Sequence, residues 1–163
     1  MKLLTIAVVL STILIGGCAT TQTSSQAISF AKPELAMSQK EQWLLMVGKW
    51  YGDQPIKEGG RKQWIVERFP NGTYKIVFRE ITREGVTNDS AEVGQWGVSG
   101  PVYFSSFRGW VEGDKIQPSD PSDPYNYDAY RIIQLNSELF DYEHFSTGNR
   151  HTVKRVPTDF RMP

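Results

Sequence analysis

Along most of this chain apolar and polar residues alternate with the period of two that a half-buried strand requires. The clearest run is Thr73 to Ile81, where Tyr74, Ile76 and Phe78 alternate with Thr73, Lys75, Val77 and Arg79. Shorter runs begin at Lys49 to Gly52 and continue at Lys62 to Phe69, Val102 to Val111, Tyr125 to Leu135, Leu139 to Phe145 and Arg150 to Val156. A fourth strand follows the turn Arg83-Glu84-Gly85 and ends near Val98. Turn chemistry separates these runs: Pro70-Asn71-Gly72, Ser99-Gly100-Pro101, Asn136-Ser137 and Thr147-Gly148-Asn149. Gly113 to Pro124, with its Asp-Pro repeats, reads as a loop, because proline cannot donate within a central strand. The pattern predicts an all-β domain of eight strands joined mostly by short connections. Closing eight strands into an antiparallel up-and-down barrel removes exposed sheet edges and leaves room for side chains or one small ligand.

Two segments before the strands follow other rules. Leu3 to Ile15 is an apolar run of 13 residues behind the single positive charge of Lys2. It is shorter than the roughly 20 residues a spanning helix needs and reads as a signal peptide. Ile15-Gly16-Gly17-Cys18 then resembles the bacterial lipobox, whose small residues lie extended in the peptidase cleft and whose thiol accepts the lipid. Residues 1–17 are thus expected to be removed, leaving Cys18 acylated and the chain tethered to a membrane. Ala19 stands where an aspartate would be avoided in outer-membrane cargo. Residues 18–37, rich in Thr, Ser, Gln and Ala, read as a flexible tether, with the folded domain at 38–163. That domain opens on a short helix: Ser38-Gln39-Lys40-Glu41 fits a capping box, Trp43, Leu44, Met46 and Val47 form the apolar side, and Gly48 ends it.

Composition narrows the function classes. Lys and Arg number 18 against 18 Asp and Glu, and loss of Lys2 leaves 17 against 18, a net of −1. No basic surplus is present to hold a phosphate backbone, so nucleic acid is excluded as a partner. The single cysteine rules out an intrachain disulfide, and the domain must rest on its core, for which 12% aromatic residues are ample.

Gly48-Lys49-Trp50, directly after a short helix and at the start of strand one, resembles the G-x-W signature of lipocalins. Tyr125-Asn126-Tyr127-Asp128-Ala129-Tyr130 is similar to their T-D-Y region, with Asn126 in place of the acid and Tyr125 in place of the threonine. The last strand carries Arg155, where lipocalins place an arginine over the signature tryptophan, and Lys154 competes for that role. The chain therefore resembles a small bacterial lipocalin-like lipoprotein of the calycin group. The resemblance implies a barrel base closed by a structural contact between Trp50 and Arg155, and it leaves the ligand open.

A binding cavity would draw on one face of each strand. The expected wall is Trp64 with Val66, then Tyr74, Ile76 and Phe78, then Val102 with Phe104. Later strands would add Tyr130 with Ile132, and Phe140, Tyr142 and His144. The same large residues could instead fill the barrel solidly. Other chemistry is weaker. Asp141 and Glu143 share a strand face and read as a solvated outer surface rather than an acid–base pair. His144, His151 and Glu143 match no metal-ligand spacing, and the Asp-Pro repeats lack the calcium-loop pattern. Ser105 and Ser106 sit in no nucleophile elbow. Gly94, Gly97 and Gly100 suggest strand bends, and the sequons at Asn71 and Asn88 read as turns. No metal, cofactor or catalytic residue is implied. The leading expectation is a non-enzymatic barrel that binds a small apolar or amphipathic ligand at the cell envelope. The alternative is a packed, ligand-free barrel acting through its surface on protein partners that the sequence does not identify.

Overall fold

Ser38 starts helix α1 (Gln39–Met46) with both bonds of a capping box: the Glu41 amide donates to the Ser38 hydroxyl, and the Ser38 amide donates to the Glu41 carboxylate at 2.7 Å. The computed structural model describes residues 37–57 and 59–163, so the expected leader, the Cys18 lipidation site and the tether up to residue 36 lie outside the described residues. The helix buries the side its apolar pattern suggests only in part: Met46, Trp43 and Val47 pack against the core, and Leu44 does not. Gln42 and Met46, one turn apart, face the barrel, whereas Leu44 is 61% exposed. Trp43 instead reaches sideways and stacks on Trp96 with ring centres 4.1 Å apart.

Nine strands follow: β1 (Gly48–Pro55), β2 (Gly60–Arg68), β3 (Thr73–Thr82), β4 (Thr87–Ser99), β5 (Val102–Glu112), β6 (Lys115–Pro118), β7 (Tyr127–Leu135), β8 (Leu139–His144) and β9 (Arg150–Arg155). Eight of them form a closed antiparallel ring in which β4 pairs with β5, β5 with β7, and β9 returns to β1. Strand β6 stands outside the ring as a hairpin on the far half of β5. It corrects the expectation of an unbroken loop from Gly113 to Pro124. Its residues are exposed and Pro118 ends it, so it sits at an edge where a missing donor is harmless. Asn88 likewise lies within β4 and not in a turn. The Asp-Pro segment does form turns. The Asp120 carboxylate accepts from the Ser122 amide and Asp123 from the Tyr125 amide, each at 2.9 Å.

One end of the barrel is sealed. Trp50 is fully buried, and its indole N–H donates to the Met46 carbonyl at 2.9 Å, fixing the helix to β1. Across the β1–β9 seam Trp50 pairs with Arg155, whose guanidinium carbon lies 4.3 Å from the centre of the tryptophan ring. The same guanidinium donates to the carbonyls of Leu45 and Val47 at the end of α1, and to that of Ser137 at 2.8 Å. Arg155 thus satisfies orphan carbonyls of the helix while covering Trp50, and Lys154 points elsewhere on the strand, exposed. Gly48 makes this approach feasible. Its φ of +115° is open to glycine alone, and a Cβ there would stand 2.6 Å from the Arg155 Nη1.

Because Trp50 is buried and tied to both the helix and Arg155, Trp50→Ala should destabilise the domain by about 3–5 kcal/mol. Chemical denaturation would show this as a lower midpoint with an unchanged slope, and a loss near zero would overturn the base-closing role.

Candidate functional site

The interior above the sealed base is not solid. A cavity of about 610 Å³ opens at the opposite end, within the ~300–1,000 Å³ range of small-molecule sites. The strand alternation positions its wall. On β2 the inward residues are Lys62, Trp64, Val66 and Arg68, and on β3 they are Tyr74, Ile76 and Phe78. Late strands contribute Tyr130, Tyr142 and His151. Tyr103 and Tyr130 stack with centres 5.2 Å apart, and Tyr142 meets both edge-on. Two glycines give these rings space. A Cβ at Gly52 would stand 2.2 Å from the Trp64 ring, and one at Gly94 would stand 2.5 Å from the Tyr74 ring.

Of the wall residues expected from sequence, Trp64, Tyr74, Ile76, Phe78, Tyr130 and Tyr142 come together around this space. Phe104 does not. It is 45% exposed on the outer surface, lying flat across Gly97. The turn at Gly100 explains why: it pairs Val98 with Tyr103 and Ser99 with Val102, and cross-strand partners share a face. Inward Val98 therefore turns Tyr103 and Ser105 inward and sends Val102 and Phe104 out. His144 keeps the phase of Phe140 and Tyr142 but lies at the strand end, outside the cavity lining. The Thr147 amide donates to its Nδ1, which leaves Nε2 to donate to Asp128 at 3.0 Å. The histidine that lines the cavity is His151, whose spacing from His144 and Glu143 matches no metal-ligand motif. Burial pushes its imidazole below the ordinary range, with help from the nearby positive charge of Lys62 and from His144. No group of three or more metal-ligating side chains occurs among the described residues.

Charged groups inside the barrel were the least legible part of the sequence. Arg68 and Glu92 both line the cavity. Arg68 extends the Trp64–Val66 alternation by one step, and Glu92 extends that of Trp96 and Gly94, so period two was the available signal. The Tyr74 hydroxyl donates to Glu92 Oε1 at 3.1 Å. Burial raises the Glu92 carboxyl above its ordinary value, the negative charge of Asp128 adds to this, and the Tyr74 hydrogen bond and Lys62 oppose it. Burial likewise raises the Tyr74 and Tyr130 hydroxyls, so both are neutral donors at neutral pH. On the outer face Asp141 is not the solvated carboxylate expected from sequence. It is buried beneath Arg150 and Thr152, and the Arg150 guanidinium holds it below the usual carboxylate range. A carboxylate held below its usual range by its arginine partner is poorly matched to acid–base exchange with Glu143.

These features define the class: a lipocalin-like barrel, closed by eight antiparallel strands, with a short helix leading into Gly48-Lys49-Trp50 and Arg155 laid over that tryptophan. Comparison with known proteins finds no matching family model and no matching curated protein. Among solved structures, a lipocalin-like protein from Bacteroides uniformis is similar at a TM-score of 0.41 and 11% sequence identity, over 69% of this chain and 99% of that one. The fold assignment rests on the closed topology and the base geometry.

A carboxyl with a raised pKa binds its proton more tightly in the folded than in the unfolded chain. Glu92 thus contributes stability that is complete below its ordinary value of 4.5 and is lost as the pH rises through the folded value. Glu92→Gln, which cannot ionise, should gain stability relative to the parent on going from about pH 4 to about pH 8, measured by denaturant midpoint. Parallel pH profiles for the two proteins would contradict the assignment of Glu92 as a buried, titrating group.

Proposed function

We propose that this protein is a non-enzymatic binding module that holds a small apolar or amphipathic molecule in the cell envelope of a bacterium. The observation that carries the reading is the aromatic-lined cavity in a barrel closed at one end. Apolar surface withdrawn from water against Trp64, Phe78 and Tyr130 would supply about 25 cal/mol per Å². The Tyr130 hydroxyl and the Glu92–Tyr74 pair are among the few polar groups that would fix orientation. Trp110 and Tyr125 line the same space while remaining 47% and 90% exposed, an apolar lip at which such a molecule would first be met.

The lipobox-like Ile15-Gly16-Gly17-Cys18 and the preceding apolar run support a tether through lipid at Cys18, and Ala19 supports delivery to the outer membrane, facing the periplasm. The cavity disfavours the alternative of a solidly packed barrel acting only through its surface.

Native mass spectrometry of residues 38–163, purified without detergent, tests the binding reading. A reproducible adduct of ligand size is expected, lost in Phe78→Asp or Tyr130→Asp and kept in Phe104→Asp, whose side chain is outside. A bare protein mass, unchanged after exposure to envelope lipids, would overturn it. For the tether, Cys18→Ser in the full chain should block processing or release the protein from membranes. Normal maturation and membrane retention of that variant would refute lipidation.

A further inference from the structure

Among the described residues, four charged ones face the cavity: Lys62, Arg68, Glu92 and Asp128. Three have partners. Lys62 pairs with Glu80 at 3.0 Å near the mouth, Asp128 accepts from His144, and Glu92 accepts from Tyr74. Arg68 differs. It is the last inward residue of β2, at the sealed end, and only 1% exposed. Its Nε and Nη1 have no hydrogen-bond partner among the described residues, and no carboxylate among them pairs with it.

An unpaired cation in a barrel floor is costly, and removing it from water gains nothing unless something compensates. Part of the compensation is visible. The guanidinium carbon lies 4.8 Å from the Tyr103 ring centre and 5.2 Å from that of Phe140. Ring contacts of this kind engage the flat face of a guanidinium, however, and leave its in-plane N–H donors free. The donors are what an anion takes. Burial keeps the neighbouring Tyr142 hydroxyl, also lining the cavity, protonated against the opposing charge and contact of Arg68, so that it stands beside Nε and Nη1 as a further donor.

We propose that Arg68 is an anion-binding residue at the cavity floor, so that the ligand is an amphipathic anion held head-down, its charged group at Arg68 and its apolar body along Trp64, Tyr74 and Tyr130 toward the mouth. This rests on the reading of the cavity as a binding site and adds the chemical class of what it takes. The ordering along the barrel follows from register. Arg68 pairs with Gly48 and Tyr74 at the base, while Lys62 pairs with Gln54 and Glu80 six residues nearer the mouth.

Two probes that differ in charge separate the claims. 8-Anilinonaphthalene-1-sulfonate carries an anionic group that its parent, N-phenyl-1-naphthylamine, lacks, on the same apolar body. Added to the full chain at neutral pH and followed by fluorescence titration, the sulfonate should bind about tenfold or more tightly than the parent, the margin of a charged hydrogen bond. Arg68→Met should abolish that preference and leave the affinity for the parent within about twofold, while Lys62→Met should retain it. Because methionine removes an unpaired buried cation, the denaturation midpoint of Arg68→Met should equal or exceed that of the parent protein. Survival of the preference in Arg68→Met, its absence in the unaltered protein, or a sharp fall in that midpoint would each overturn the assignment while leaving the cavity reading intact. Failure of both probes to bind would overturn both.

Discussion

Everything in this fold depends on how Arg155 closes the barrel base. An eight-stranded barrel has two open ends, and a cavity holds a ligand only if one of them is sealed. Here a single guanidinium lies over Trp50, bonds the carbonyls of Leu45 and Val47, and reaches back to Ser137. It joins the seam strand, the helix end and the β7–β8 turn, three elements distant in sequence. The helix is otherwise held by buried Met46, by the Trp50 bond to the Met46 carbonyl and by the Trp43–Trp96 stack, while Leu44 stays in solvent. Without Arg155 the helix would lose the donors for its last carbonyls and Trp50 its cover.

Sealing one end makes the other end permissive. At the base the interior is filled by Met46, Trp50, Phe140 and Val153, all fully buried. Toward the mouth, side chains are held apart by their own neighbours: the Trp64 ring lies across Gly52 and the Tyr74 ring across Gly94, each occupying a space where another side chain would otherwise stand. Rings pressed flat against the wall leave the axis free. The cavity is therefore a product of two glycines and large aromatics, not of small residues at the centre.

The degree to which this was legible in the sequence followed the clarity of the pattern. The Thr73–Ile81 run alternates, and its Tyr74, Ile76 and Phe78 do face inward; Gly48-Lys49-Trp50 lies where the helix meets β1. Strand β5 reads Val-Tyr-Phe-Ser-Ser-Phe, with bulky residues on both faces, so alternation alone could not choose between Tyr103 and Phe104. The hairpin register decided it, and register is a property of pairing, not of one strand. His151 takes the place in the wall expected for His144 for a similar reason. Their phases are right, but strand ends place His144 at a rim held by Asp128 and Thr147 and His151 against Trp64 at 6.0 Å. Strand β6 was hidden by prolines and aspartates that do make turns just beyond it. Arg68 escaped notice because charged residues are ordinarily assigned to solvent.

That last residue bears on how a binding protein differs from a merely stable one. Asp141 and Arg68 are both charged and both buried, yet the first is met by Arg150 and Thr152, whereas the second lies against the faces of two rings with its Nε and Nη1 unpartnered. A core shaped for stability alone would resemble the first, since an apolar residue at position 68 would avoid the cost of an incompletely paired buried cation. Arg68 lines the cavity at its sealed end, where a molecule entering at the mouth would end its path. The same barrel thus separates two uses of arginine: Arg155, with three carbonyls to bond, completes the fold, and Arg68, with Nε and Nη1 unpaired at the cavity floor, is the residue proposed to meet what the fold admits.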